Sequence, residues 1–222
     1  MEEREVTIEA GSVSVTGSLH LAERASGMVL FAHGSGSSRF SPRNRFVASV
    51  LQRAGMATLL LDLLTSTEEA SNSRTALLRF DIGLLAGRLM AASDWLARSA
   101  DTGRLPLGYF GASTGAAAAL AAAAQRPAQV KAVVSRGGRP DLAQPQLSRV
   151  QAPTLLIVGS NDYLVLEMNR QALAELRVES GLETVPGATH LFEEPGALER
   201  VAELARDWFQ RYLAYSCPSQ AA

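Results

Sequence analysis

The strongest constraint on the fold is a series of short, uninterrupted apolar runs that alternate with segments of helical periodicity. MVLFAHG (28–34), ATLLLDLLT (57–65), PLGYFGA (106–112), KAVVSRGG (131–138) and TLLIVGS (154–160) are continuous where a half-exposed strand would alternate. A strand buried on both faces reads this way, because helices cover both sides of a parallel sheet. The intervening segments supply those helices. RNRFVASVLQRAG (43–55) puts Phe46, Val47, Val50, Leu51 and Ala54 on one face and ends in glycine. A long helix is expected from Arg74 to about Ala100, with others near 114–126, 166–178 and 196–214. VTIEAGSVSVTGSLHLA (6–22) reads as an opening hairpin, and ETVP (183–186) as a short late strand. The expected fold class is therefore α/β: a mostly parallel sheet of about eight strands with helices on both faces.

The sequence has 222 residues, enough for one well-buried unit, and neither a repeat nor a low-complexity linker divides it. One domain over 1–222 is expected, with its core at about 6–213 and a flexible tail at 215–222. Lys and Arg total 21 against 22 Asp and Glu, so the charge balance points neither to nucleic acid nor to a membrane surface. The start, MEEREVTIEA, is acidic where a signal peptide is basic and then apolar. No apolar run reaches the roughly 18 residues of a spanning helix. Cys217 is the single cysteine, so no internal disulfide forms. A cytoplasmic protein is the expectation.

Open parallel sheets bind ligands at the carboxyl ends of their strands. Here those ends carry HGSGS, GASTG, SRGGR and GSNDY. In GASTG, Ser113 stands between a strand and an alanine-rich helix, flanked by Gly111 and Gly115. G-x-S-x-G at such a seam forms a nucleophile elbow, a sharp turn that lifts the serine above the sheet. The alternative is a tight turn with a satisfied hydroxyl. Alanines in the following helix would let it lie close to the sheet.

A serine attacks only if a base takes its proton and an acid orients that base. Of three histidines, His20 lies in the early hairpin and His33 ends the first buried strand. His190, in GATHLF, alone follows both the serine and a carboxylate placed after a strand, Asp162 in GSNDY. The order Ser113, Asp162, His190 is that of a strand-end triad. Asp141 and Glu193 are rival acids. The oxyanion of a tetrahedral intermediate needs donors, and the N–H of Thr114 at the helix start is one. The N–H of Ser35, in HGSGS, is the expected second, with the His33 ring hydrogen-bonded locally to shape that loop. HGSGS as a phosphate loop is the rival reading, but it lacks the lysine of a P-loop.

With HGSGS, GASTG, GSND and GATH in this order, the chain resembles the α/β hydrolase superfamily, and within it the small dienelactone-hydrolase-like group. The resemblance spans about residues 6–213. It implies an eight-stranded α/β-hydrolase sheet with little or no cap, since only about fifteen residues separate SRGGR from TLLIVG. Ser113 stands where dienelactone hydrolases typically use cysteine, which favours a broader carboxylesterase over a lactone-specific enzyme. The expected function is a serine hydrolase of a carboxylic ester or lactone, without metal or cofactor, inhibited by organophosphates. An acyltransferase using the same triad and a non-catalytic binding protein on the same fold are the alternatives. Arg39, Arg136 and Arg139 flank the inferred site and suit an anionic small-molecule substrate, or else pair with nearby carboxylates. Phe40, Tyr163, Leu164 and Phe192 are candidates for an apolar wall.

Overall fold

A computed structural model of the chain describes residues 3–75 and 77–213; the stretch 215–222, including Cys217, lies outside the described residues. The strands are β1 (Glu3–Ala10), β2 (Val13–His20), β3 (Met28–Ala32), β4 (Ala57–Leu61), β5 (Leu107–Ala112), β6 (Val130–Arg136), β7 (Thr154–Gly159) and β8 (Ser180–Val185). They form one eight-stranded sheet in the order β1-β2-β4-β3-β5-β6-β7-β8. The hairpin β1–β2 and its junction with β4 are antiparallel, and every pairing from β4 across to β8 is parallel. All residues of β3, β4, β5 and β7 are buried, as their continuous apolar sequences require. β8 starts at Ser180, before the expected 183. It is the outer strand and half-exposed, so its sequence carries little apolar signal.

The α-helices are α1 (Pro42–Arg53), α2 (Ser66–Thr75), α3 (Ile82–Arg98), α4 (Thr114–Gln125), α5 (Gln144–Leu147), α6 (Tyr163–Glu175) and α7 (Ala197–Leu213). α1 and α7 cover one face of the sheet, over Phe31, Phe110, Val134 and Ile157. α3 and α4 cover the other, over Leu30, Tyr109, Val133 and Leu156. Successive residues of β5 thus face opposite layers, Tyr109 one way and Phe110 the other. The Tyr109 hydroxyl meets Ser93 of α3 at 2.7 Å, and burial pushes its pKa up to about 12.

The long helix expected from Arg74 is divided. A 3-10 turn at Leu78–Phe80 precedes Asp81, whose carboxylate accepts from the Leu84 amide at 2.9 Å and caps α3. Asp81 has ψ 84°, outside the helical region, so the apolar spacing on either side belongs to separate elements. Between β6 and β7 lie only a 3-10 turn at Pro140–Ala143 and the short α5, consistent with the short segment.

Candidate active site

The elbow is built by the residues around Ser113. Its backbone has φ 51° and ψ −120°, a conformation that costs roughly 1–3 kcal/mol for a residue with a side chain. The neighbouring glycines are required by contact. A Cβ on Gly111 would overlap Ala116 backbone, and one on Gly115 would overlap the carbonyl oxygens of Ala32 and His33. β5, α4 and the end of β3 are therefore pressed together beneath the serine. From Thr114 to Ala124 every residue of α4 is buried, so a helix of larger side chains would not fit there.

His190 and Asp162 meet above the same strand ends. The His190 Nδ1–H donates to Asp162 Oδ2 at 2.6 Å, which leaves Nε2 with the lone pair a base needs. Asp162 sits at the N-terminus of α6, directly after β7. Gly137 joins the pair to the elbow: a Cβ there would lie 3.5 Å from His190 Cε1. The preceding residue, Arg136, accepts the Ser113 amide at 3.2 Å through its carbonyl. The rival acids are engaged elsewhere. Asp141 takes two hydrogen bonds from Arg139, at 2.8 and 2.7 Å, and Glu193 pairs with Arg43 at 2.9 Å.

The loop after β3 is fixed from two sides. His33 Nδ1–H donates to Gly34 O at 2.9 Å, while Nε2 accepts the Leu63 amide at 3.0 Å, so the ring is a neutral tautomer. Burial lowers its pKa. Gly34 lies against the elbow; a Cβ on it would come within 3.1 Å of Ser113 Cβ. The next amide differs from the sequence expectation. Ser35 N–H is not left open but donates to Thr114 Oγ1 at 2.9 Å.

The expected substrate contacts separate into four groups. Arg39 and Arg139 are occupied: Arg39 binds Asp62 at 2.7 Å and also pairs with Glu5, and Arg139 holds Asp141. Phe192 is a correction to the apolar wall. It is 1% exposed and part of the core under α7, because its φ of 56° turns the ring inward beneath the His190 loop. Phe40, Tyr163 and Leu164 are exposed and remain available. Arg136 is different again. It is buried, its Nε and Nη1 have no hydrogen-bond partner among the described residues, and burial with Arg43 nearby pushes its pKa down to about 10.

A cleft of about 490 Å³ opens beside the loop after β3, between Ser37, Phe40, Asp62 and Glu69. A second cavity of about 380 Å³ lies at the opposite ends of the strands, near Met28, Pro106 and Lys131. Sequence reading missed Glu194. Its carboxylate accepts both the Thr189 amide at 3.0 Å and the Thr189 hydroxyl at 2.6 Å, bracing the residue before His190. Those hydrogen bonds lower its pKa. An acid five residues after a threonine in a loop is too common a pattern to single it out. Among the described residues no group of three or more His, Cys, Asp or Glu is arranged to hold a metal ion, and no helix is long and apolar enough to cross a membrane.

Comparison with known proteins agrees with this architecture. The crystal structure of a dienelactone hydrolase from Anabaena variabilis is 60% identical, with a TM-score of 0.94, covering 96% of this chain and 98% of that one. Est1E from Butyrivibrio proteoclasticus shares the fold at 15% identity, with a TM-score of 0.79 over 93% of this chain and 98% of its own. Two Mycobacterium tuberculosis proteins that carry the provisional name phosphoribosyl transferase are 57% identical over 219 residues, or 99% of this chain. The match takes in 48% of each, so the chain spans about half the length of these curated relatives. The family model for dienelactone hydrolases matches residues 28–215, from β3 through α7. With its eight-stranded sheet of α/β-hydrolase type, the chain belongs to the dienelactone hydrolase family.

Proposed function

We propose that this chain is a serine hydrolase that cleaves a small carboxylic ester or lactone through an acyl-enzyme. Ser113 Oγ attacks the carbonyl carbon while His190 Nε2 takes its proton, and Asp162 holds the imidazole and its positive charge. The oxyanion forms at the start of α4, where the Thr114 amide has no intrahelical acceptor. Collapse breaks the bond to the leaving oxygen, which takes the proton from His190. Water, deprotonated by the same nitrogen, then attacks the acyl carbon; the bond to Ser113 Oγ breaks, the serine takes the proton back from His190, and the acid leaves. No cofactor is needed for these steps. The observation that carries the reading is the 2.6 Å His190–Asp162 pair, which packs on Gly137 at the end of the strand beside a serine held at φ 51°. The name of the mycobacterial relatives belongs to proteins about twice this length, and nothing in that pair favours phosphoribosyl transfer here.

Arg136 supports an anionic group on the substrate. Its guanidinium lies 5.8 Å from the centre of the Phe192 ring but has no carboxylate partner among the described residues, and a ligand carboxylate would offset the cost of burying it. Arg39 and Arg139 already hold carboxylates and are poor candidates for the same task. The test is burst kinetics with p-nitrophenyl acetate and butyrate. Wild type is expected to release a burst of nitrophenol followed by steady turnover, and Ser113→Ala neither. Full activity in Ser113→Ala would refute the reading.

A further inference from the structure

We propose that the Thr114 hydroxyl is itself an oxyanion donor, relaying the Ser35 amide to the substrate. The inference rests on the serine-hydrolase reading and adds a catalytic group to it. Ser35 N–H already has an acceptor, Thr114 Oγ1, at 2.9 Å. For the amide to meet a substrate oxygen directly, the loop would have to turn. It is held against turning by both nitrogens of His33, by Gly34 packed on Ser113, and by Gly115 pressed under Ala32 and His33.

The hydroxyl has one further capacity. A threonine oxygen that accepts one hydrogen bond still has its own proton to give. Thr114 is 3% exposed, and its Oγ1–H finds no acceptor among the described residues. The same residue carries the first free amide of α4 and follows the nucleophile directly in the chain. Accepting from Ser35 polarises the O–H, and a donor strengthened in this way suits a developing negative charge. The arrangement runs Ser35 N–H to Thr114 Oγ1, and Thr114 Oγ1–H to the oxyanion. No proton is transferred and no bond changes partner.

The test compares Thr114→Val, Thr114→Ala and Thr114→Ser. Valine keeps the shape but puts a methyl where the oxygen stood, blocking the Ser35 amide as well as removing the hydroxyl. Loss of one oxyanion donor lowers kcat by about 10²–10³. Thr114→Val is expected to fall in that range with KM little changed. Thr114→Ala should fall less, since it leaves room for a water that can bridge the Ser35 amide to the oxyanion, and Thr114→Ser should keep most of the wild-type rate. An arylboronic acid, which forms a tetrahedral adduct on a serine, should lose affinity in the same order. If Thr114→Val does not fold, the alanine and serine variants read the same order.

Wild-type kcat and unchanged boronate affinity in Thr114→Val, or in Thr114→Ala should valine not fold, would overturn the relay and restore Ser35 as the direct donor. Ser113→Ala, run alongside, separates the two claims. If it retains wild-type turnover, the hydrolase reading itself fails and the relay with it. If it is inactive, a fast Thr114→Val removes the relay alone.

Discussion

Gly115 and Gly87 are both helical glycines, and alanine at the two positions should act in opposite directions. In a helix interior alanine is favoured over glycine by about 1 kcal/mol, which is the whole expected effect where space is free. Gly87, in α3, has nothing within 4 Å of where an added Cβ would stand, so Gly87→Ala should stabilise by about 0.5–1 kcal/mol. At Gly115 the added methyl meets the carbonyl oxygens of Ala32 and His33, backbone atoms that cannot swing aside. Relief requires α4 to lift from β3, at an overpacking cost of about 1–3 kcal/mol. Set against the helix-propensity gain, the net is a loss of up to about 2 kcal/mol. For a chain of this size 1 kcal/mol shifts Tm by roughly 2–4 °C, so Gly115→Ala should melt lower, by up to about 8 °C, and Gly87→Ala slightly higher. Because α4 carries Thr114 at its first turn, Gly115→Ala should also reduce esterase kcat, while Gly87→Ala should not. Calorimetry and p-nitrophenyl butyrate turnover measure both. A Gly115→Ala protein that melts above wild type with unchanged kcat would refute the packing argument for the elbow.

Three other perturbations bear on separate parts of the site. His33 is held neutral, its pKa lowered by burial from 6.5, so below about 6.5 the unfolded chain binds a proton that the folded protein refuses. Stability should therefore fall as pH drops from about 7 to 5.5, and urea midpoints for His33→Gln should be flatter over that interval. Arg136→Met should lower kcat/KM for the monoanionic p-nitrophenyl hydrogen glutarate by about 10- to 100-fold, the scale of a lost charge-assisted hydrogen bond. Neutral p-nitrophenyl butyrate should be nearly unaffected, and equal losses on the two esters would contradict anion recognition. Asp162→Asn leaves the His190 ring without its carboxylate, and a kcat within about tenfold of wild type would contradict the assigned pair.

Much of this is readable without the fold. Continuous apolar runs locate β3 to β7 because burial on both faces leaves no polar position to blur the pattern. The order of Ser113, Asp162 and His190 follows from where each stands relative to a strand end. Other features depend on contacts between distant residues. Whether Arg39, Arg136 and Arg139 are free is decided by Asp62 and Asp141, which take up the first and the last and leave Arg136 with the Phe192 ring but no carboxylate among the described residues. Only the fold brings these groups together. Phe192 reads as available because its neighbours are polar, yet a positive φ turns it into the core. Asp81 breaks a helix that its apolar neighbours would have continued, and its cap on Leu84 competes locally with helix propagation. The engagement of Ser35 by Thr114 spans 79 positions and leaves no trace in either motif.

The central claim is that Ser113 is the nucleophile, and a covalent label tests it most directly. A fluorophosphonate ester should phosphonylate the protein once, at a rate lost in Ser113→Ala and strongly reduced in His190→Ala. Its slow-clearing adduct should map by peptide mass spectrometry to the segment containing Gly111-Ala112-Ser113-Thr114-Gly115. Labelling at another residue, or undiminished labelling of Ser113→Ala, would contradict the account.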